Sequence, residues 1–309
     1  MKRLAIILCV AMLGSSFAFG SALGTNTRTV IPSDVQQIIS VDYRALRNSP
    51  TALALKAKVL PDNLKEFETA LRHIGINPDT DVEQLTFASF RAKGGLKIVG
   101  IATGQFNMKK LLGKMKVQKI GGTKYRDYTI YPMSGVQTVF IDPYTMLFGE
   151  LKSVQMGLDA RDGEIESLNS NGAITDMIPS VQDGTVWSVL DPVGTQNLMR
   201  STLGDAASLA DYDTVKKKLT GSRYTMDFNQ GVDFDLDVLT SDSMTAATLS
   251  SLVKAGLMFR KMNATGSEKM ALESTTVDSD SGILRLHFKT DDTKFQALMK
   301  SDLFNAISR

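Results

Sequence analysis

The segment Val232-Asp233-Phe234-Asp235-Leu236-Asp237-Val238 alternates carboxylates with apolar residues. A period of two is the pattern of a strand, so Asp233, Asp235 and Asp237 share one face in steps of about 7 Å. Carboxylates so spaced offer a calcium ladder or a dock for a basic partner. They do not form an EF-hand loop, because Val238 stands where that loop needs glycine and no bidentate glutamate follows at the right spacing. The same half of the chain also holds an answer to this charge. Arg285, His287 and Lys289 alternate in the same way on another strand, and Arg223 lies on the preceding one. Opposite charges on neighbouring strands contribute about 0.2–1 kcal/mol per pair. We expect the ladder to be answered mainly within its own sheet, with a ligand site as the alternative.

A second constellation is basic. From Arg91 to Arg126 the chain carries ten Lys or Arg and no acid. Lys109, Lys110, Lys114 and Lys116 fall on a short helix whose apolar side is Met108, Leu111, Leu112 and Met115. Such a helix can lie on anionic lipid or polymer, at about 1 kcal/mol per nearby Lys or Arg. It also reads as an ordinary helix with a core side and a solvated side, and Gly113 weakens it.

The groups that run most covalent and metal chemistry are scarce. The two histidines, His73 and His287, are far apart in sequence, and one distant pair is poor material for a transition-metal centre. No Gly-x-Ser-x-Gly elbow or phosphate-cradling glycine loop is present. Carboxylate pairs remain open, and Asp42 and Asp191, at the ends of equivalent strands, are the first to inspect. Both also suit turn caps. No catalytic residue, cofactor or metal ligand is assigned. With 35 basic and 33 acidic residues, the chain lacks the basic excess of a dedicated nucleic-acid binder.

The first residues read as an address. Lys2 and Arg3 precede an apolar run, Leu4–Leu13, which contains Cys9, the single cysteine. Small residues follow, with cleavage signals at Gly20 and Ala22, the pattern of a secretory signal peptide over 1–22. Ten apolar residues rise only about 15 Å as a helix, half a bilayer core. The reading is export, to a periplasmic or secreted location, of a body that takes no stability from disulfides.

The elements that must position these groups come in two runs. Strands are expected at Val35–Tyr43, Gln84–Phe90, Leu96–Thr103, near Tyr125–Tyr131, at Val136–Ile141 and Thr145–Phe148. Helices fall at Thr51–Leu60, Asn63–Ile74, from Asn107 to Met115, and at Lys152–Asp159. The later run has strands at Val186–Leu190, Ser222–Phe228, Val232–Leu239, Met270–Val277 and Ile283–Lys289. Its helices fall near Thr195–Leu203 and Tyr212–Leu219, at Ser243–Met262, and around Phe295, Leu298, Leu303 and Ile307. Met108 pairs with Met244, Ile98 with Phe234 and Leu85 with Tyr224 at a nearly constant offset. The fold class is α+β, in two similar halves, each a mainly antiparallel sheet with helices packed on one face. The halves span 23–160 and 173–309, joined by a polar linker at 161–172. The first holds 18 basic and 12 acidic residues, and residues 161–309 hold 15 and 21, so head-to-tail self-association is a further expectation.

With its leader, the opening Ile31-Pro32-Ser33-Asp34 leading to Ile39-Ser40-Val41-Asp42-Tyr43, and two cysteine-free α+β halves, the chain resembles exported proteins of Gram-negative soil bacteria. The resemblance implies location and fold and brings no activity with it. The leading functional expectation is an exported, non-catalytic protein that binds a ligand or protein partner. The alternatives are an envelope-associated protein contacting anionic lipid or polymer through 91–126, and a hydrolase using carboxylates alone.

Overall fold

The computed structural model describes residues 22–203, 212–264 and 266–301. The expected leader up to residue 21, together with Leu303 and Ile307, lies outside them. Twelve strands form one sheet. In the first half these are β1 Val35–Asp42, β2 Val82–Ala92, β3 Gly95–Gly104, β4 Thr123–Tyr125, β5 Tyr128–Met133, β6 Val136–Asp142 and β7 Thr145–Gly149. The second half contributes β8 Val186–Leu190, β9 Leu219–Asp227, β10 Val232–Thr240, β11 Thr275–Asp280 and β12 Ile283–Thr290. The longer helices are α1 Pro50–Val59, α2 Asp62–His73, α3 Met108–Val117, α4 Leu151–Arg161, α5 Pro192–Leu203, α6 Ser243–Asn263, α7 Gly266–Glu273 and α8 Asp292–Leu298. The sequence did not announce α7. This is the expected α+β class, with antiparallel pairing between the neighbouring strands.

The strand order is β11-β12-β10-β9-β8-β1-β2-β3-β7-β6-β5-β4. Read outward from the centre, β1-β2-β3-β7-β6 in one direction matches β8-β9-β10-β12-β11 in the other, and β5 and β4 extend the first half's edge. The expectation of a separate sheet in each half is therefore corrected. The inner strands β1 and β8 pair antiparallel from Gln37↔Leu190 to Val41↔Val186 and fuse the halves. An edge strand with open N–H and C=O groups is satisfied most simply by another strand.

Helices on one face alone is corrected as well. Along β2, Thr86, Ala88 and Phe90 point to one face and Leu85 and Phe87 to the other, and no residue from Val82 to Phe90 except Glu83 is exposed. A strand apolar on both sides needs two covers. One face carries α2 and α3 over the first half and α5, α6 and α8 over the second. The opposite face is covered at the centre by α4, by residues 23–31 and by residues 168–181, which bury Ile38, Val99, Ile101, Trp187 and Val189.

The segment 161–172 connects the halves without being a loose tether. Ser33 N donates to Glu166 O at 2.9 Å and Leu168 N to Ile31 O at 2.7 Å. The Asn171 side chain donates to Ser33 O at 2.8 Å. Leu168 has no exposed surface. The segment's polar composition hides this anchor, because Leu168 and Ile165 are its two apolar residues among turn formers and nothing local shows that Leu168 is the buried one.

Local signals explain the boundaries. Helix α2 turns Phe67 and Leu71 into the core and stops at Gly75, whose φ of +92° lets Ile76 N reach back to Leu71 O at 2.9 Å. Its cap position is Pro61; Asp62 is the first helical residue and pairs with Lys65 at 3.0 Å. The strand expected near Tyr125–Tyr131 is broken into β4 and β5 at Arg126, which has φ +50° and reaches Asp159 at 3.1 Å and Glu164 at 2.7 Å. Asp242 caps α6 by accepting from Thr245 N at 2.8 Å, and that backbone donor holds its carboxyl well below the usual range.

Two stability measurements follow. Leu168→Ala should cost about 2–5 kcal/mol in urea unfolding, whereas Ile165→Ala, at a position 37% exposed, should cost less than about 1 kcal/mol. Gly100 lies under the Phe148 ring, where an added Cβ would sit 2.3 Å from its nearest atom. Gly100→Ala should therefore lower stability by about 1–3 kcal/mol through displacement of that ring.

Candidate functional site

Three places bring functional groups together. The first is a narrow apolar cleft of about 40 Å³ between α2 and the sheet. It exists because both partners present large apolar groups at the same level. From the end of α1 comes Leu60 and from α2 come Leu64, Phe67 and Leu71; from the strands come Val82, Leu85, Phe87, Ala102, Met146 and Phe148. Phe148 anchors the wall. Its ring centroid is 4.9 Å from that of Phe67 and 5.9 Å from that of Phe87, the latter edge-on. Such ring pairs add about 0.5–1.5 kcal/mol each beyond their burial. Gly100 leaves the space that Phe148 occupies.

Polar groups gather beside this apolar wall. Tyr43 and Glu68 both line the cleft. The Tyr43 hydroxyl donates to Glu68 Oε1 at 3.2 Å and accepts from Lys56 Nζ. Lys56 Nζ pairs with Glu68 at 2.7 Å and lies 4.7 Å from the centre of the Tyr43 ring. Arg72 and Asp79 form the outer pair at 2.6 Å. Burial first, then the neighbouring Glu68 and Asp79 charges, push the Tyr43 phenol far above its ordinary pKa. Asp79 is held below the usual carboxylate range, because Arg72's bond and charge outweigh the opposing effect of burial. No pattern in the sequence announces this site. Its residues come from the helical turn at Tyr43, from α1, α2, the turn at 78–81 and the three strands β2, β3 and β7, and no local spacing joins them. One local trace exists, the helical spacing of Leu64, Phe67 and Leu71 on α2.

The second place is the acidic ladder, which stands on β10 between β9 and β12. Register puts Asp237 between Arg223 and Arg285, Asp235 between Thr225 and His287, and Asp233 between Asp227 and Lys289. Arg223 donates to Asp237 Oδ2 through Nε at 3.1 Å and Nη2 at 2.9 Å. Arg285 Nε stands 3.9 Å from the other oxygen. Lys289 Nζ donates to Asp233 Oδ2 at 2.5 Å, and that bond raises the ammonium pKa. His287 Nδ1 is 2.9 Å from Asp235 Oδ1 and 3.6 Å from Asp233 Oδ1. The ladder is thus paired within its own sheet, as the alternation of charges implied. His287, Asp233 and Asp235 also bring three potential ligand atoms within 4.8 Å of one another.

The third place is the basic helix α3. Leu111 and Met115 are buried, while Lys109, Lys110, Lys114 and Lys116 are exposed. Leu112, expected on the apolar side, is 45% exposed, and Val117 is 82% exposed. A broad, shallow groove runs past Lys109, Lys110 and Lys114 to His73.

Asp42 and Asp191 are brought to opposite ends of the central strand pair. Asp42 N bonds to Thr185 O, six residues from Asp191, a separation of roughly 20 Å at the rise of a strand. Each caps a helical turn, Asp42 through Ala45 N at 2.8 Å and Asp191 through Gly194 N at 2.7 Å. They do not form a facing carboxylate pair. Asp191 also takes Arg91 across the boundary between the halves.

No helix among the described residues is long and apolar enough to cross a membrane. No protein-family model matches the chain, and no curated protein matches its sequence. Solved structures do match. The chain is similar to the protein TP0453 in its crystal form I, with a TM-score of 0.52 at 11% identity, over 94% of this chain and 98% of that one. Crystal form III of the same protein gives 0.50 at 9% identity, over 91% and 97%. At such identity the likeness shows a shared fold, extending along nearly the whole of both chains.

Proposed function

We propose that this is an exported, non-catalytic protein that binds a small, largely apolar molecule in the cleft beneath α2. The observation that carries the reading is the cleft itself: a wall of aliphatic and aromatic side chains with one convergent polar cluster beside it. Apolar concavities with a few placed polar groups are the common form of small-molecule sites. The polar cluster is balanced. Lys56 and Arg72 face Glu68 and Asp79, and the Tyr43 hydroxyl is kept neutral. Such a cluster suits a ligand whose polar end is uncharged, because a net charge would find no excess of the opposite sign. Binding without chemistry also agrees with the separation of Asp42 from Asp191.

A second reading, contact with an anionic envelope surface, is favoured by the four exposed lysines of α3 beside the outward Leu112 and Val117.

The cleft is tested with an apolar fluorescent probe, N-phenyl-1-naphthylamine. The wild type should bind it saturably. Leu64→Trp, at a half-buried position on the rim, should fill the space and weaken binding at least about tenfold, a loss of about 1.4 kcal/mol, with the melting temperature preserved. No saturable binding, or equal binding by the variant, would remove the proposal. The neutral tyrosine makes a further expectation. Its folded pKa lies above the ordinary 10.0, so its contribution to stability is complete below pH 10 and is lost as pH rises beyond that value. Alkaline unfolding followed by phenolate absorbance should show Tyr43→Phe losing less stability than the wild type above that pH.

A further inference from the structure

We propose that Asp233, Asp235 and His287 form a binding site for a divalent transition-metal ion of the zinc class on the open face of β10 and β12. The proposal is independent of the cleft, which lies on the other face of the sheet and in the other half. A ladder of carboxylates alone would carry no such reading. The imidazole distinguishes this one: His287 Nδ1 is a nitrogen donor aimed between two carboxylate oxygens, at 2.9 Å from Asp235 Oδ1 and 3.6 Å from Asp233 Oδ1. Zinc bonds of about 2.0–2.2 Å to N and O in a tetrahedron imply ligand-to-ligand edges of roughly 3.3–3.5 Å. The two spacings from the imidazole straddle that value, and all three atoms lie within 4.8 Å of one another, so rotation of the two carboxylates toward Nδ1 would close the set.

A second observation concerns Asp233. Its Oδ1 is buried and has no hydrogen-bond partner, while Oδ2 is taken by Lys289. A buried carboxylate oxygen without a donor is costly, and a cation between Oδ1 and Nδ1 would satisfy it. The backbone fixes the donors. Asp235 and His287 are directly opposed in the β10–β12 register, and Asp233 is the next residue on the same face. The fourth position is open, because Asp235 is 61% and His287 42% exposed at the side chain. One nitrogen with two carboxylate oxygens selects zinc, nickel or copper over calcium and magnesium, which take all-oxygen sets. Lys289 is the competing cation.

The test is calorimetric titration of the purified protein with zinc chloride, and with calcium chloride in parallel. One zinc ion should bind saturably and calcium should not. His287→Ala should weaken zinc by more than about 100-fold, beyond the 10–100-fold usual for loss of a supporting partner. Asp235→Asn, nearly isosteric, should weaken it too and serves if the alanine variant loses stability in thermal melts. Lys289→Met should tighten binding by releasing Asp233, an effect that non-specific surface binding would not show. Absence of saturable zinc binding, binding unchanged in His287→Ala, or calcium bound as well as zinc would overturn the proposal.

Discussion

The antiparallel pairing of β1 with β8 is the contact on which the rest of the molecule depends. Each half, taken alone, would end in an inner strand with an open row of backbone donors and acceptors, and such rows recruit other strands. Here each inner strand is the other's partner. Joining them converts two modest sheets into one of twelve strands and buries Ile38, Val189 and Trp187 under a shared cover. The cover is held by residues from both halves. The chain near Ile31–Ser33 is stitched to residues 166–168 by backbone hydrogen bonds, and Leu168 enters the same cluster as Val35 and Leu158. On the other face Thr51 of α1 bonds to Asp292 of α8, and Lys58 reaches the Met299 carbonyl. The halves are interleaved above and below the seam.

One continuous sheet also carries a single alternation of faces from edge to edge, since successive side chains point oppositely and register is fixed by pairing. On one face, Val99 and Ile101 of β3 pack beneath α4. The same face of the second half carries Asp235 and Asp237 of β10, at the positions that the repeated order makes equivalent. What differs is the closing helix. In the first half α4 follows β7 and crosses to that face. In the second, α8 follows β12 and packs Phe295 on the opposite side, with Val232 and Phe288. Among the described residues no helix packs over that face, and charged side chains in cross-strand pairs are a soluble way for it to meet water. The ladder is thus a consequence of where a short helix was laid.

Much of this was legible in the chain. The alternation of Val232–Val238 gave both the strand and the face of its carboxylates, and Arg223, Arg285 and Lys289 gave their partners by the same arithmetic. The stripe of α2 and its Gly75 stop, the Gly94-Gly95 turn and the helix beginning at Ser243 are local signals, decided by residues a few positions apart. The offset of Ile98 from Phe234 and of Leu85 from Tyr224 is the sequence pattern behind the expectation of two similar halves. What could not be read was whatever depends on distant pieces meeting: the fusion of two sheets through β1 and β8, the second cover over Val99 and Ile101, the burial of Leu168 in a polar segment, and a cleft drawn from α2 and three strands. Leu112 shows the limit within a single helix. Apolarity put it on the core side, but the buried stripe of α3 is only wide enough for Leu111 and Met115.

The placement of the cleft follows from the same asymmetry. In the first half both faces of β2 and β3 are covered, and the strands are apolar on both sides. Cover by α2 is carried by large side chains, Phe67 and Leu71, against the large Phe148, while Ala102 and Gly100 beneath them are small. Big groups over small ones meet at their tips and leave space between. In the second half Tyr224 and Phe234, with ring centroids 5.6 Å apart, fill the equivalent positions of Leu85 and Ile98, and the buried stripe of α6, Ala246, Leu249 and Val253, is built of smaller residues. A similar strand order with exchange of large for small side chains therefore gives one half its concavity, and the face that no described helix covers gives the other its exposed charges.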